Sequence, residues 1–355
     1  MEPMYIYATP RQVAQWRQEQ KVNPTAQQTP DHQEPNATCV YQKETKLPLN
    51  QNSYVPLCLL LVALLTSLAS LAQSSRDKST LFKEVSPASD HYKTISSADA
   101  TARDADLETI AFPEKDFRRG AYLKMRTVYL DVPVEAFKIQ PYPANSSEQT
   151  RKELDFLLEL QEKRTAEDEA RTDTLAIVYH DPFTVNPNDP DYPRNVSSLF
   201  YVGRNLGVWF SPEQLPVTSR VLQNVIQDAT FYFFSLKAQF NRARPYHLEP
   251  RLKNLEAPGH ASYPSGHSSA SHVHAYLLSN LLPEYREQFL RNAYDLAFSR
   301  EVRGVHYPSD SEAGRAFAKQ FVAELMKSKK FNADYAAMKA EIEEVKSKHS
   351  LTLKK

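Results

Sequence analysis

Cysteine is nearly absent from this 355-residue chain, and its two cysteines, Cys39 and Cys58, both lie near the N-terminus. Neither a disulfide framework nor a thiolate metal site can therefore hold the larger, downstream part of the chain together. Glycine is also scarce, with seven residues, and no regular succession of alternating apolar and β-branched segments is present. Since alternating segments are typical of strands, this composition favours a mostly helical protein.

A charge excess of either sign is missing too, because 43 basic side chains balance 43 acidic ones. Proteins that bind nucleic acids normally have a basic bias, so we expect no nucleic-acid partner. Hydrophobic residues make up 41% of the chain. This content is sufficient for one sizeable globular domain with appendages.

The N-terminal region contains the longest apolar run. Residues 1–53 are polar, without a sustained apolar period, and we predict that they are disordered. Residues 54–72 contain nine consecutive apolar residues and end in Ser70-Leu71-Ala72, a small-x-small site typical of a secretory signal peptide. Cleavage there would give a periplasmic or secreted protein. The segment lies unusually far from Met1, and an uncleaved membrane anchor or a buried core helix remain alternatives.

Helical periodicity begins after a proline-rich turn in the middle of the chain. Ser147 is a plausible N-cap, and the leucines between positions 154 and 160 predict a helix that continues through Arg164 towards Ala176. A second long helix is predicted for residues 215–240, whose apolar side chains recur at three- and four-residue steps.

Two further regions flank these helices. Residues 73–136 show no pattern that predicts their fold, apart from a candidate strand at 126–130. We place the main domain at 137–330, and we predict a charged helical C-terminal tail at 331–355.

The polar residues with the clearest chemical potential occur in three short islands between positions 237 and 310. The first, second and third islands are Lys237-x6-Arg244-Pro245, Pro264-Ser265-Gly266-His267 and Ser299-Arg300-x5-His306-x3-Asp310. Guanidinium groups make bidentate contacts with tetrahedral oxyanions, and a lysine adds a point charge. The islands therefore suit a phosphate-like ligand.

Local signals place the first two islands at helix ends. Lys237 lies in the last turns of its helix, where a lysine is usually a solvated charge favoured by the helix dipole. Pro245 disfavours helical geometry at Arg244, so this arginine is expected on a loop. Ser265 can cap the next helix, which would direct the backbone N–H groups of Gly266 and His267 outwards, towards an anion.

The third island contains the candidate nucleophile. Pro308 suits the first position of a helix, so His306 should precede the helix and Asp310 should lie in its first turn. If the Asp310 carboxylate accepts a hydrogen bond from Nδ1–H of His306, Nε2 keeps its lone pair for attack. Taken alone, a histidine such as His306 would more often be an ordinary buried or surface histidine.

Metal-ligand spacing is missing among these residues. His272 and His274 are two positions apart, so on a helix they point to different faces and cannot chelate one metal ion. We therefore expect no metal site and no cofactor, with fixed cations neutralising the charge of the ligand.

In order and spacing, the three islands resemble the pattern Lys-x6-Arg-Pro, Pro-Ser-Gly-His, Ser-Arg-x5-His-x3-Asp of the phosphatidic acid phosphatase type 2 (PAP2) superfamily. Within it, Ser262 and Tyr263 before the second island look most like the bacterial class A nonspecific acid phosphatases. The resemblance covers roughly residues 141–321. It implies an all-α helical bundle with the active site at one end.

The resemblance also implies a mechanism and roles. His306 would attack phosphorus to form a phosphohistidine, with Asp310 orienting it, while His267 would protonate the leaving oxygen. The remaining residues would bind the phosphoryl oxygens: Lys237, Arg244, Ser265, Gly266 and Arg300. The implied activity is metal-independent hydrolysis of small phosphomonoesters, with vanadate as a phosphate-mimicking inhibitor.

Other functions remain open at this point. The haloperoxidases of the same superfamily use these residues to bind vanadate as a cofactor, and a membrane lipid phosphatase or a non-catalytic binding protein is also conceivable. Assembly into a homo-oligomer is compatible with the sequence. Contact with a membrane is expected only if the segment 54–72 stays uncleaved.

Overall fold

The computed structural model describes residues 81–84, 91–179 and 188–352. The predictions for residues 1–53 and 54–72 therefore lie outside the described residues. Within the described ranges, no helix is both long enough and apolar enough to cross a lipid bilayer.

Secondary structure in these ranges is helical. The α-helices in chain order are α1 (Leu81–Glu84), α2 (His91–Ser96), α3 (Ala105–Glu108), α4 (Glu148–Lys163), α5 (Ala166–Ala176), α6 (Tyr192–Ser198), α7 (Pro216–Phe240), α8 (Pro245–Leu248), α9 (Gly266–Leu281), α10 (Arg286–Val302), α11 (Pro308–Leu325) and α12 (Lys329–Thr352). Short 3₁₀ turns occupy Glu114–Asp116, Gly120–Lys124, Val134–Ala136, Tyr201–Gly203 and Pro283–Tyr285. The described residues form no β-strand, only an isolated bridge between Ala111 and Arg242. The all-α prediction is confirmed.

Helix α9 lies at the centre of the bundle, packed against α7, α10 and α11. Its apolar residues Val273, Leu277 and Leu278 are fully buried, and the facing side of α7 is buried along most of its length. Since α7 and α10 end where α9 and α11 begin, two helix C-termini and two N-termini meet at one end of the bundle. All three islands lie at this end.

The region after the proline-rich turn differs from its prediction. Ser147 caps α4 as expected, accepting a hydrogen bond from the backbone N–H of Thr150. The single helix predicted to reach Ala176 is wrong, because α4 ends at Lys163 and α5 begins at Ala166. Thr165 and Asp168 form a capping box at the break, and this local pair starts a new helix there.

The candidate strand at 126–130 is also wrong. The backbone N–H groups of Val128, Tyr129 and Leu130 all donate to the carboxylate of Asp228 on α7. A buried backbone segment must satisfy its donors, and one carboxylate of a helix does here what a neighbouring strand would otherwise do.

The C-terminal helix α12 packs onto the bundle along α7. Phe331, Met338 and Ile342 are buried in the common core. The Glu341 carboxylate accepts hydrogen bonds from the backbone N–H groups of Val217 and Thr218, and thereby caps the N-terminus of α7. The helical character of 331–355 is observed through Thr352, while the domain boundary at residue 330 stays a prediction.

Gly314 allows α11 to approach the start of α9 very closely. A Cβ atom at this position would lie 2.8 Å from the carbonyl oxygen of Ser265 and 2.9 Å from the backbone nitrogen of Ser269. A hydrogen bond also links the two helices at this point of close approach: the hydroxyl of Ser268 on α9 donates to the carbonyl of Ser311 on α11 over 2.6 Å. The packing of these small residues sets the position of the second island relative to the third.

We expect Gly314→Ala to lower the stability of the protein by about 1–3 kcal/mol, because backbone atoms rather than a flexible side chain must give way. Activity should fall as well, since the displaced segment contains Ser265. Thermal unfolding and turnover would measure both effects. Gly120→Ala is the matched control, because its Cβ would meet only a ring carbon of Phe117 at 3.6 Å. Equal stability of the two variants would contradict the prediction.

Candidate active site

The third island places its histidine and carboxylate as the sequence predicts. Pro308 is the first residue of α11, and Asp310 lies in its first turn, where it also accepts the N–H of Tyr307 over 3.0 Å. Nδ1 of His306 is 2.9 Å from Oδ2 of Asp310. On the other side of the ring, Nη1 of Arg244 lies 3.1 Å from Nε2 of His306. An arginine can only donate, so Nε2 carries the lone pair and Nδ1 the proton.

Asp310 is itself fixed by a buried ion-pair network that the sequence did not reveal. Its Oδ1 accepts a hydrogen bond from Nη1 of Arg242 over 2.7 Å, and its Oδ2 accepts one from the hydroxyl of Ser262. The second guanidinium nitrogen of Arg242 lies 3.1 Å from Oε2 of Glu153. Arg242, Glu153 and Asp310 are all fully buried. The network therefore holds the His306 partner rigidly in place.

The aromatic surroundings and the electrostatics support this arrangement. The Arg242 guanidinium lies 3.7 Å above the centre of the Tyr307 ring, which is a cation–π contact. Burial raises the pKa of Glu153, an effect that the positive charge of Arg242 opposes. Burial also acts to lower the pKa of Arg242, but the carboxylates of Asp310 and Glu153 outweigh it and raise that pKa. Arg242 thus stays charged at any relevant pH.

The first island contributes two buried cations. Lys237 has no exposed surface, so the interpretation of this lysine as a solvated helix-end charge is wrong. Its ammonium group donates to the carbonyl oxygens of Ala261 and Ser262 over 2.9 and 3.0 Å. In the part of the chain that the structure describes, no carboxylate lies within ion-pair distance of it. Burial, and then the neighbouring charge of Arg244, hold the pKa of Lys237 well below its usual value.

Arg244 precedes α8 and is held by main-chain and histidine acceptors rather than by a carboxylate. Its Nη1 donates to the carbonyl of Val305 over 2.6 Å, and its Nη2 lies 2.9 Å from Nδ1 of His260. These contacts aim the guanidinium at His306. His260, which the sequence placed near the site without a role, is thus a direct partner of Arg244. Burial, followed by the charges of Lys237 and Arg244, keeps the pKa of His260 well below its usual range.

The second island forms the start of α9, as predicted. Ser265 is the N-cap and accepts from the backbone N–H of Ser268 over 3.4 Å, while its own N–H donates to the carbonyl of Asp310 over 2.9 Å. Gly266 is the first helical residue and lies against Lys237, since a Cβ on it would be 3.8 Å from the lysine Cε. This contact brings the first and second islands together.

His267 is partly exposed and anchored by α5. Its Nε2 is 3.1 Å from the carbonyl oxygen of Ala176. A carbonyl can only accept, so Nε2 carries a proton in this contact.

Arg300 lies in the last turn of α10 and is paired with Glu256, a residue that the sequence did not single out. Both terminal nitrogens of Arg300 donate to the Glu256 carboxylate, which also accepts from Nε of Arg303. Arg300 is buried, whereas Glu256 is partly exposed. No local pattern marks Glu256, because its partners are more than forty positions away in the chain.

The charges of all three islands act on His306. Burial, and then the positive charges of Arg244 and Lys237, hold the pKa of His306 well below its usual value, and Arg300 and His267 contribute in the same direction. The eight predicted site residues therefore meet at one end of the bundle. In the described ranges, no group of three histidine, cysteine or carboxylate side chains is arranged to hold a metal ion. His272 and His274 are buried elsewhere, bonded to the carbonyls of Ser268 and Leu222.

Comparison with known proteins finds a family-model match in the part of the chain that holds the islands. Residues 218–333 match the model of the PAP2 superfamily. A non-specific acid phosphatase of Salmonella typhi is 31% identical over 145 residues, which are 39% of this chain and 57% of that protein. A lipid A 1-phosphatase of Rhizobium johnstonii is 40% identical over 91 residues, or 24% of this chain and 37% of that protein.

A second acid phosphatase and one solved structure add to this comparison. The non-specific acid phosphatase of Providencia stuartii is 30% identical over 146 residues, covering 39% of this chain and 59% of that protein. The chain thus spans less than two thirds of the length of these acid phosphatases. A bacterial vanadium-dependent iodoperoxidase aligns with a TM-score of 0.45 and 20% identity, over 67% of this chain and 64% of that one.

Proposed function

We propose that the protein, whose residues 218–333 match the model of the PAP2 superfamily, is a metal-independent phosphomonoester hydrolase that acts through a phosphohistidine. The similar proteins are named as acid phosphatases and as a lipid A phosphatase, which supports hydrolysis of phosphate esters as the reaction class. Their partial coverage makes a small phosphomonoester the proposed substrate rather than a demonstrated one.

One observation carries the proposal: the lone pair of His306 Nε2 faces a cluster of buried cations. Arg244 donates to Nε2 over 3.1 Å, and Asp310 accepts from Nδ1 over 2.9 Å. A nucleophilic histidine needs this tautomer, with the second nitrogen oriented by a carboxylate. An anionic substrate is drawn to the same point by the positive charges, and its phosphorus then lies close to the nucleophile.

The proposed phosphate-binding residues have separate roles in this mechanism. Lys237, Arg244 and Arg300 neutralise the equatorial oxygens of the phosphoryl group, a function that phosphoryl-transfer enzymes often assign to Mg²⁺. The Ser265 hydroxyl and the Gly266 N–H add donors at the N-terminus of α9. Because these groups are preorganised, they stabilise charge in the transition state without reorganisation.

The reaction proceeds in two steps. In the first, Nε2 of His306 forms a bond to phosphorus while the bond to the leaving oxygen breaks, and protonated His267 gives its proton to that oxygen. In the second, His267 removes a proton from water, water attacks phosphorus, and the P–N bond breaks to release phosphate. Asp310 stabilises the positive charge that the ring of His306 acquires while it is phosphorylated.

Hydrolysis of p-nitrophenyl phosphate, with no halide oxidation, is the expected behaviour of the purified protein. Vanadate should inhibit it competitively, because its trigonal-bipyramidal form mimics the phosphoryl group in transfer. Bromide oxidation by the vanadate-loaded protein and hydrogen peroxide, without phosphatase activity, would instead identify a haloperoxidase.

Activity should survive prolonged EDTA treatment. The physical reason is that three cationic side chains, Lys237, Arg244 and Arg300, already lie where charge must be neutralised. Turnover before and after chelation, followed by addition of Mg²⁺ or Zn²⁺, is the measurement. Loss of activity that either metal restores would show that these side chains do not supply the neutralising charge.

The pH profile should reflect the lowered pKa of His306. The nucleophile acts deprotonated, and its pKa lies below the usual value because of burial and the charges of Arg244 and Lys237. The midpoint of the acidic limb in the pH profile of kcat/KM should therefore lie below about pH 6.5, which is the ordinary pKa of histidine. Lys237→Met removes one charge and should move this limb to higher pH, besides weakening substrate binding. A limb that lies above pH 6.5 in the wild type would refute the assignment.

We also propose that the protein is exported, on the basis of the apolar run and small-x-small site in residues 54–72. Mass spectrometry of the exported form should find a chain that starts at or near Gln73. A full-length protein that only detergent extracts would favour the membrane anchor.

A further inference from the structure

The proposed phosphate-binding arginine of α10 already has an anionic partner. Glu256 accepts hydrogen bonds from both terminal nitrogens of Arg300, one of them over 3.3 Å. The same carboxylate accepts from Nε of Arg303 over 3.0 Å. One carboxylate is therefore shared by two arginines that lie three positions apart at the end of α10.

This ion pair is poorly hydrated. The side chains of Arg300 and Arg303 are 4% and 1% exposed, and that of Glu256 is 17% exposed. Burial alone would raise the pKa of Glu256, but the charges of Arg300 and Arg303 outweigh it and hold that pKa well below its usual range. The carboxylate therefore remains charged even under acidic conditions.

Glu256 and a phosphoryl group need the same donors. The terminal N–H groups of a guanidinium that already donate to a carboxylate cannot donate to a phosphate at the same time. Two anions bound next to the same guanidinium also repel each other. Arg300 must therefore give up part of its contact with Glu256 when a phosphoryl group binds.

Arg303 is placed to keep Glu256 when this happens. Its Nη1 donates to the Asp173 carboxylate over 2.7 Å and to the Thr172 hydroxyl over 3.0 Å. These contacts with α5 anchor the guanidinium, so Arg303 cannot follow Arg300 towards the ligand. Its Nε continues to point at Glu256, which keeps a counter-ion throughout.

We propose that Glu256 is an internal counter-ion that competes with phosphate for Arg300, and that Arg303 retains Glu256 when phosphate takes its place. The inference rests on the proposed function and deepens it. Glu256 weakens the binding of phosphoryl groups, including that of the product, inorganic phosphate, and so favours product release.

The test is the inhibition constant (Ki) of inorganic phosphate in Glu256→Gln, measured against p-nitrophenyl phosphate and checked by calorimetric titration with phosphate. Glutamine has the same size but no charge, so Arg300 becomes available and the Ki should fall about tenfold. KM should fall with it, without a matching rise in kcat. If Glu256 merely oriented Arg300, the same variant would instead raise the Ki.

A second variant acts in the opposite direction, and it tests the proposal even if the Glu256→Gln protein does not fold. In Arg303→Lys, one ammonium group cannot replace all contacts of the guanidinium, so Glu256 depends more on Arg300. The Ki of phosphate should then rise. An unchanged or lower Ki would overturn the proposal.

Glu249→Gln is the matched control. Glu249 is also shared by two arginines, accepting from Arg251 over 2.7 Å and from Arg151 over 2.9 Å, but neither of these arginines belongs to an island. Its substitution should leave the Ki of phosphate unchanged. A wild-type protein that neither hydrolyses phosphomonoesters nor binds phosphate would overturn both proposals. Phosphate binding by the wild type, with an unchanged or higher Ki in Glu256→Gln, would overturn only the counter-ion role.

Discussion

A His306→Ala protein is expected to lose turnover by a factor on the order of 10⁵ with every phosphomonoester, because no covalent intermediate can form without Nε2. The loss should be similar for aryl and alkyl phosphates. The leaving group is irrelevant when the bond to the nucleophile is missing. No phosphate should become attached to the variant protein.

His267→Ala should behave differently, since it removes a proton donor and leaves the nucleophile intact. An alkoxide leaves poorly without a proton, whereas nitrophenolate leaves readily. We therefore expect a loss of about 10³-fold with alkyl phosphates and a much smaller loss with p-nitrophenyl phosphate. Some phosphoenzyme should still form from the aryl substrate.

Rapid quenching with labelled substrate separates the two roles. Wild type and His267→Ala should carry label that is acid-labile and base-stable, as expected for a phosphohistidine. His272→Ala is a suitable control, because this buried histidine bonds to Ser268 within α9 and has no assigned part in the reaction. Label on His306→Ala, or none on the wild type, would overturn the proposed mechanism.

Arg242→Met is expected to lower the free energy of unfolding by about 3–5 kcal/mol, which is the usual cost of removing one partner from a buried ion pair. The substitution leaves the carboxylates of Asp310 and Glu153 without their common counter-ion in a fully buried environment. Activity should fall as well, because Asp310 would no longer be held against His306. Urea unfolding followed by circular dichroism measures the stability.

The pH dependence and a surface control make this prediction specific. In Arg242→Met the pKa of Glu153, which burial already raises, loses the opposing charge of Arg242 and should rise further, so the loss of stability is largest at neutral pH and shrinks as acid protonates this carboxyl group. Arg251→Met removes an arginine whose side chain is 69% exposed and paired with Glu249, and it should lower the free energy of unfolding far less than Arg242→Met does. Equal losses in the two variants would contradict the buried-network interpretation.

Local sequence signals predicted much of the fold because helix ends depend on nearby residues. Ser147 and Ser265 cap their helices as expected, and Pro308 begins α11. The prediction that α4 continues past Arg164 is wrong because apolar periodicity was given more weight than the capping pair Thr165 and Asp168. The strand at 126–130 is wrong because its backbone partner is a carboxylate distant in the chain.

The sequence by itself determined the chemical identity of the site. The three islands contain the residues that we propose as nucleophile, proton donor and phosphate-binding groups, and their spacing places each of them at or near a helix end. A pairing such as that between His306 and Asp310 spans a single helical turn, so local geometry is sufficient to predict it.

Only the tertiary structure decided which charges neutralise one another. Arg242 meets Glu153 and Asp310 across 89 and 68 positions, and Glu256 meets Arg300 across 44. Lys237 is buried because the carbonyls of Ala261 and Ser262 come to lie against its ammonium group. No local sequence pattern predicts contacts between residues so far apart in the chain, because burial and ion pairing depend on how the helices pack rather than on neighbouring residues.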